Sequence, residues 1–484
     1  MITALILGPL MGLLAVVLWR HRAAEITIAA TVANTVFTAA LARGILRSGE
    51  VEMAWWGLLK ADGLSALFIG TTTCTGLVIA LHAKGHRQPH GNGPIPPGFW
   101  PSWLVLLTGL NMIFLSEHLL AMFIGVELVG GAAVGMVVLS GSRRALVLAR
   151  RYFLIRLPGS LLFLFAIAWL HAVYGTLFMG ELRELLEPSA MTSWAAVLLL
   201  FGLLVKAAVF PLHYWLPAVH AIAVGSAGAV LSGLVVKGPF FAVVRIWFDL
   251  LPTVATQAAA AFIGALGAAG ILWGAVHALR ERRLKLIIAH STVSQMGYLL
   301  ILIPLLTGYA GSSWAAAAWT GGIYQAMAHA TAKAALLMGA GVIVYSLGSD
   351  KLRNMHGLAG HLPLTTLAIT LACVSLIGLP PSGGFIGKWL LLSAALQSGQ
   401  WWWAPVLLAG SLLTAAYAFL ILSYAFQAKV GFATVRKPPV LMEATVLALA
   451  AASVLMGLRV SEPMQLLGQT DEVRMEWNPE EGAP

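Results

Sequence analysis

Long apolar runs separated by short polar loops dominate the chain. A membrane-spanning helix needs about 20 mostly apolar residues. On that ruler fourteen spans are expected, centred near residues 10, 34, 72, 107, 129, 164, 203, 231, 266, 300, 331, 376, 413 and 449. The first begins at Met1 with no charged leading region and no small-residue cleavage site, so it is expected as a retained helix rather than a signal peptide. Two runs look broken. LLVKAAVFPLHYWLPAVH places Pro211 and Pro217 beyond Lys206, and SLIGLPPSGGFIGKWLLL places Pro380, Pro381, Gly383 and Gly384 just before Lys388. Discontinuous helices in corresponding positions of two halves point to an inverted repeat with an ion site near the bilayer midplane. The lysine precedes the first break and follows the second, the mirror order that inverted topology would give.

The fold expected from this pattern is an all-α polytopic membrane protein of about 14 transmembrane helices, with two inverted five-helix repeats that each hold a broken helix. Residues 1–100 would form an N-terminal three-helix segment and a cytoplasmic loop. Residues 101–250 and 251–430 would be the first and second repeats, and 431–484 a C-terminal helix with an acidic external tail.

Composition sharpens the picture. Of the 484 residues 59% are hydrophobic and 10% charged, with mean hydropathy +0.87, against roughly 25% charged in a soluble domain. Lipid must be the main solvent. The 17 tryptophans include Trp55-Trp56 and Trp401-Trp402-Trp403, which fit interfacial belts. Cys74 and Cys373 are the two cysteines, too few for an iron–sulfur cluster, so any coupled redox chemistry belongs to another chain.

The net charge of +10 reads as loop asymmetry rather than nucleic-acid binding. Loops after odd-numbered spans hold 17 Lys and Arg, and loops after even-numbered spans plus the tail hold six. That bias puts the odd loops in the cytoplasm and both termini outside, as in a bacterial-type inner membrane. An even number of spans requires the same. Arg143, Arg144, Arg150 and Arg151 then lie where a cytoplasmic partner could dock.

Four lysines and one glutamate sit well inside apolar runs: Glu127, Lys206, Lys237, Lys333 and Lys388. Each costs at least about 2.5 kcal/mol at the bilayer centre, and such residues are functional by default. A lysine out of water gives up its proton more readily, and a nearby carboxylate restores its hold. Such a group can take and release a proton as a neighbouring charge moves. Glu127 and Lys206 would pair if their helices touch, Lys237 and Lys333 would relay, and Lys388 would serve the second half. His329 and Lys333, four apart, share one helix face, and a neutral imidazole there can shuttle protons. Tyr324, Gln325, Ser226, Ser232, Thr331 and His213 could hold water between stations. Arg156 and Arg245 read as structural or interfacial, and His290 as near a cytoplasmic helix start.

His82, His86 and His90 are spaced at four, with Lys84 and Arg87 between them, ahead of a Pro/Gly-rich loop. A solvated loop is the expectation there rather than a metal site. No phosphate-cradling or dinucleotide-binding glycine run is present, and no catalytic arrangement is discernible. No cofactor or metal is assigned to the chain.

Several of these runs carry a family resemblance. The glutamate in FIGVELVGG, the runs VKAAVFPLHYWLP, SAGAVLSGLVVK, HSTVSQMGY and HATAKAALLMGAG, and GLPPSGGFIGKWLL occur in that order. Over about residues 60–430 the chain resembles the antiporter-like subunits shared by respiratory complex I, membrane-bound hydrogenases and Mrp-type multisubunit cation/proton antiporters. Lys388, the GTLFMGEL run and the lack of a long lateral helix look most similar to the Mrp D-type subunit. The resemblance implies a proton-translocating subunit. Glu127 and Lys206 would be its coupling pair, Lys237 the central relay, His329 and Lys333 the continuing polar axis, and Lys388 the terminal lysine. It implies homologous antiporter-like and small membrane subunits as partners, with energy from a redox module or an opposing ion gradient. Gly238-Pro239 departs from a simple helix and is expected to unwind the chain around Lys237.

Two other readings compete. A related chain could supply protons to a zinc-bearing partner in an energy-coupled bicarbonate or CO2 uptake system. A scaffold that has lost transport would gain nothing from charges kept in lipid. Sodium would want a cluster of oxygens, and Glu127 is the one carboxylate expected to be deeply buried, so protons fit a lysine chain better.

Overall fold

Helices make up nearly all of the computed structural model, which describes residues 1–86, 95–309, 311–427 and 435–468. In the N-terminal part they are α1 (Ile2–Leu18), α2 (Ala23–Ser48), α3 (Gly63–Gly85), α4 (Phe99–Leu115), α5 (Leu119–Val138) and α6 (Arg143–Tyr174). The short α7 (Met179–Leu185), α8 (Ala190–Lys206), α9 (Leu216–Ile222) and α10 (Gly225–Leu250) follow. Then come α11 (Gln257–Arg280), α12 (Leu284–Leu306), α13 (Ala315–Leu347), α14 (Pro363–Ile377) and α15 (Gly383–Gln397). The last are α16 (Trp403–Phe426), α17 (Val440–Leu458) and the short α18 (Ser461–Leu467). One antiparallel hairpin, β1 (Glu52–Ala54) and β2 (Leu59–Ala61), pairs Glu52 with Ala61 ahead of α3.

A helix lies over each of the fourteen apolar centres. Among the described residues ten helices are long and apolar enough to cross a membrane, so the chain is a polytopic integral membrane protein. Four shorter apolar helices accompany them: α1, α4, α8 and α14. The last two stop at the two breaks. α8 ends at Lys206, after which Ala208 takes a left-handed conformation (φ 55°), and α14 ends at Ile377, capped by Gly378 (φ 87°).

Lipid tails offer helices no hydrophobic reason to associate, so close approach at small residues does the packing. A Cβ on Gly109 of α4 or Gly125 of α5 would lie 2.8 Å from the other's carbonyl oxygen. Gly267 of α11 and Gly297 of α12 make the same contact, at 2.8 and 2.3 Å. Gly159 of α6 meets Gly202 of α8 at 3.0 and 2.5 Å, and Gly321 of α13 meets the Gly387 carbonyl of α15 at 3.1 Å. In both halves, then, the first helix packs on the second and the third on the broken fourth.

Three helices form the centre of the bundle. The most apolar windows of α10, α12 and α13 are 100%, 94% and 89% buried, against 28% for the helix containing α2. Polar groups on those three helices therefore meet protein rather than lipid.

Several expectations need correction. The chain does not unwind at Gly238-Pro239: residues 237–245 are α-helical, with π turns on either side at Leu231–Val235 and Ile246–Leu250. Pro239 has no N–H to give to the carbonyl four residues back, and the ladder widens in the turn before it rather than breaking. His82 is not solvated. It is fully buried in the last turn of α3, with Nδ1 3.2 Å from the Met442 carbonyl and 3.0 Å from Thr445 Oγ1. His86 is buried too, and His90 lies outside the described residues. Lys285, one of the 17 cations expected in the odd-numbered loops, lies in the first turn of α12, buried, with Nζ 2.8 Å from the Ala223 carbonyl. The acidic tail begins as α18, packed so tightly on α3 that a Cβ on Gly63 would strike the Leu466 carbonyl oxygen at 1.8 Å; residues 469–484 lie outside the described residues.

Candidate functional site

The first cluster joins three helices. Lys206, at the end of α8, has no exposed surface. Its Nζ donates to Glu127 Oε1 of α5 and, at 2.6 Å, to Ser160 Oγ of α6; Ser160 in turn donates to Glu127 Oε1 at 2.8 Å. The helix break frees carbonyls near Lys206, and the Trp215 indole N–H takes up one of them, Val205 O, at 3.2 Å. Removing Glu127 would leave the buried Lys206 ammonium without its carboxylate. Glu127 is not deeply buried as the sequence suggested: its side chain is 39% exposed, on the flank of the bundle.

Arg156 stands one turn from Ser160 and faces Gly130, where a Cβ would meet its Nη2 at 2.6 Å. Its guanidinium donates to the Tyr152 hydroxyl. Arg156 thus lies close to the triad, while the ion pair of Glu127 is with Lys206. Tyr152 also walls a cavity of about 380 Å³ that Arg151, His213, Trp215, Trp273 and His290 share. Across it His290 Nε2 lies 3.5 Å from Glu281 Oε1, beyond the end of α11.

The second cluster lies at the centre. Lys237 of α10 is 2.6 Å from His329 Nδ1 of α13 and 3.7 Å from the Met296 sulfur. The other ring nitrogen of His329 is buried without a protein partner. One turn on, Lys333 donates to the Ile288 carbonyl at 2.8 Å and to the Ser291 hydroxyl, both on α12. His329 and Lys333 share a face as expected, yet they bond to different helices rather than to each other. Nearby, Ser232 and Thr292 are 2.8 Å apart, and Gln325 donates to Gln295 at 2.8 Å.

The third cluster is at the second break. Lys388 of α15 donates to the Leu376 and Ile377 carbonyls at 2.8 and 3.2 Å, and to Ser411 Oγ at 3.4 Å. Its ammonium sits 4.3 Å from the centre of the Tyr298 ring, a cation–π contact. All six predicted residues thus have polar partners, grouped in three clusters.

Some supporting residues have other jobs. Tyr324 ties α13 to the end of α17 through the Met456 carbonyl, and His213 stacks on Phe210 at 5.6 Å and meets Trp273 edge-on at 4.2 Å. Arg245 joins Asp62 and Asp249 in a buried ion network, Nη1 to Asp249 being 2.9 Å. Ser160 and Ser411 were not foreseen: single serines in apolar runs carry no spacing signal. Ser291 and Tyr298 both lie in the HSTVSQMGY run, but neither was singled out from it.

Comparison with known proteins decides the family. The model for the NADH:quinone oxidoreductase/Mrp antiporter, TM family matches residues 116–414, well over half of the chain. The chain belongs to this family. It is an antiporter-like membrane subunit of the complex I/Mrp type, and the matched span holds every residue of the three clusters. It is 30% identical over 419 residues to the N-type NADH-quinone oxidoreductase chain of Desulforudis audaxviator, covering 81% of this chain and 80% of that one. Identity to the D-type chain of the Na(+)/H(+) antiporter of Bacillus subtilis is 26% over 411 residues, 83% of this chain and 79% of the relative. The fold matches a chain in the Mrp complex from Dietzia sp. with TM-score 0.84 at 23% identity, covering 97% and 96% of the two chains. A chain of an archaeal membrane-bound sulfane sulfur reductase matches with TM-score 0.87 at 22% identity, over 98% and 97%.

Proposed function

We propose that this antiporter-like subunit moves protons through the membrane along Glu127–Lys206, Lys237–His329, Lys333 and Lys388. The observation that carries the reading is the Glu127–Ser160–Lys206 triad. A lysine with no exposed surface is held by one partly exposed carboxylate and a hydroxyl that touches both. Moving a charge toward or away from Glu127 changes how firmly Lys206 keeps its proton. The second ring nitrogen of His329 is buried without a protein partner, one turn from Lys333 on the same helix.

The fourteen helices are read as fourteen crossings, with 101–250 and 251–430 as inverted repeats flanked by 1–100 and 431–484. The matched glycine contacts in the two halves support that reading. Loop charge supports both termini outside a bacterial-type inner membrane. The relatives and neighbours are subunits of multisubunit assemblies, which supports homologous and small membrane subunits as partners here, with a redox module or an opposing ion gradient as the source of energy.

The test is proton movement in inverted vesicles holding the native complex, comparing wild type with Lys206→Ala and Glu127→Gln. Loss of movement with the complex still assembled is the expected result. Unchanged movement in both variants would leave the pair as a structural clamp.

A further inference from the structure

The path above leaves unused a line of polar groups on α3, a helix outside both repeats. A space of about 10 Å³ beside Lys237 is walled by Phe68, Thr71 and Thr72 of α3, room for at most about one water. The Thr71 hydroxyl is buried without a protein partner.

Toward the hairpin, a layer of rings closes this space. Phe68 lies 5.4 Å from Phe114, 6.4 Å from Phe240 and 5.1 Å from Phe241, centre to centre, and all four rings are buried. Beyond the rings the groups turn ionic. Arg245 sits 5.2 Å from the Phe241 ring and pairs with Asp62, the N-cap of α3. Asp249 completes that pair, and Glu117 lies 3.9 Å from Lys60 alongside. Among the described residues three carboxylates, Asp62, Asp249 and Glu117, meet two cations, Arg245 and Lys60, so this group is rich in acids.

The two helices carry the same sequence of layers. α10 runs from Lys237 through Phe240 and Phe241 to Arg245, about 12 Å of helix. α3 runs from Thr72 through Phe68 to Ser65 and Asp62. A structural ion pair alone explains neither the buried threonine hydroxyl nor the space kept open against a lysine.

We propose that Lys237 is the root of a second proton branch, which runs along α3 to the hairpin face and is held shut by the Phe68 and Phe241 rings. The Asp62–Arg245 pair and its neighbours form the mouth. Phenyl rings offer a proton no hydrogen-bond partner, so the branch conducts when the rings part enough for water to join Thr72 to Ser65. The proposal rests on Lys237 carrying protons.

The test uses the intact complex in vesicles under an imposed pH gradient, with no driving reaction. Wild type should hold the gradient, and Phe68→Ala should dissipate it several-fold faster. Adding Lys237→Met to Phe68→Ala should restore tightness. An assembled Phe68→Ala complex that holds the gradient as wild type does overturns the plug. A leak that survives Lys237→Met overturns the branch. Should the alanine variant not assemble, Phe68→Val and Phe241→Val, with smaller volume changes, are read by the same two criteria. Driven proton movement by wild type in the same vesicles judges the underlying path separately: wild type that pumps beside a tight Phe68 variant rejects the branch alone.

Discussion

Lys388 reaches back across the break in its own span and donates to the carbonyls of Leu376 and Ile377, the last two residues of α14. The Lys388 ammonium therefore stands at the C-terminal end of the half-helix that precedes its break. There unpaired carbonyls gather a partial negative charge of about half a unit. Lys206 is itself the last residue of α8. One lysine comes before its break and is held by Glu127 and Ser160 of other helices; the other comes after its break and is held by the helix end itself.

Lys388→Met should leave those two carbonyls without a donor. The expected cost is about 1–3 kcal/mol per buried unsatisfied group, read as a lower Tm of the detergent-solubilised protein, together with loss of driven proton movement. An unchanged Tm would mean that something other than Lys388 satisfies α14.

Ser160→Ala keeps both charges of the first cluster and removes the hydroxyl between them. A hydrogen bond to a charged group is worth about 1.5–3 kcal/mol, so proton movement should fall by about tenfold to a hundredfold. Assembly should be unaffected. Wild-type rates in Ser160→Ala would assign the serine to packing.

Lys237 and His329 should behave as one unit. Each single variant, Lys237→Met and His329→Leu, should impair transport, and the double variant should be little worse than either, with a coupling of about 0.5–3 kcal/mol. Simple additivity of the two losses would separate them.

Gly202→Val is expected to push α8 from α6, because even a Cβ there lies 2.5 Å from the Gly159 carbonyl and 2.9 Å from the Phe163 side chain. Overpacking costs about 1–3 kcal/mol, and here it also spreads the Glu127–Ser160–Lys206 triad. Reduced Tm and reduced transport should appear together. A variant as stable and active as wild type would show that the helices can separate freely.

Glu117, in the link between α4 and α5, has its carboxyl raised by burial, with Lys60 opposing. The folded protein thus binds this proton more tightly than the unfolded chain does. Stability from this group is fully present below the unfolded value and is lost as pH rises through the folded one. Glu117→Gln should flatten that decline in a Tm-against-pH series; an equally steep decline would place the titrating group elsewhere.

Much of this was legible from one sequence because lipid makes the rules strict. Charged residues inside apolar runs stand out, and Glu127, Lys206, Lys237, Lys333 and Lys388 each turned up with polar partners. Proline and glycine marked both breaks. Pairing was harder to read. Helical spacing coupled His329 to Lys333, but the partners lie on α10 and α12, and which helices touch is set by glycine contacts far along the chain. His82 and Lys285 were misplaced for a related reason: each ends or begins a helix, where charge suggests solvent, while a distant segment supplies a carbonyl to cover it. The ring layer of Phe68, Phe114, Phe240 and Phe241 was invisible for want of contrast, since phenylalanines in an apolar run look like lipid-facing filler.

The unequal exposure of Glu127 and Lys206 gives the first cluster a sense of direction. The carboxylate opens onto the flank of the bundle and the ammonium is sealed behind it. On the proposed path, a charge brought up by a neighbouring chain would meet Glu127 before Lys206. The acid would then be a contact on the outer wall and the lysine the wire inside, insulated from lipid.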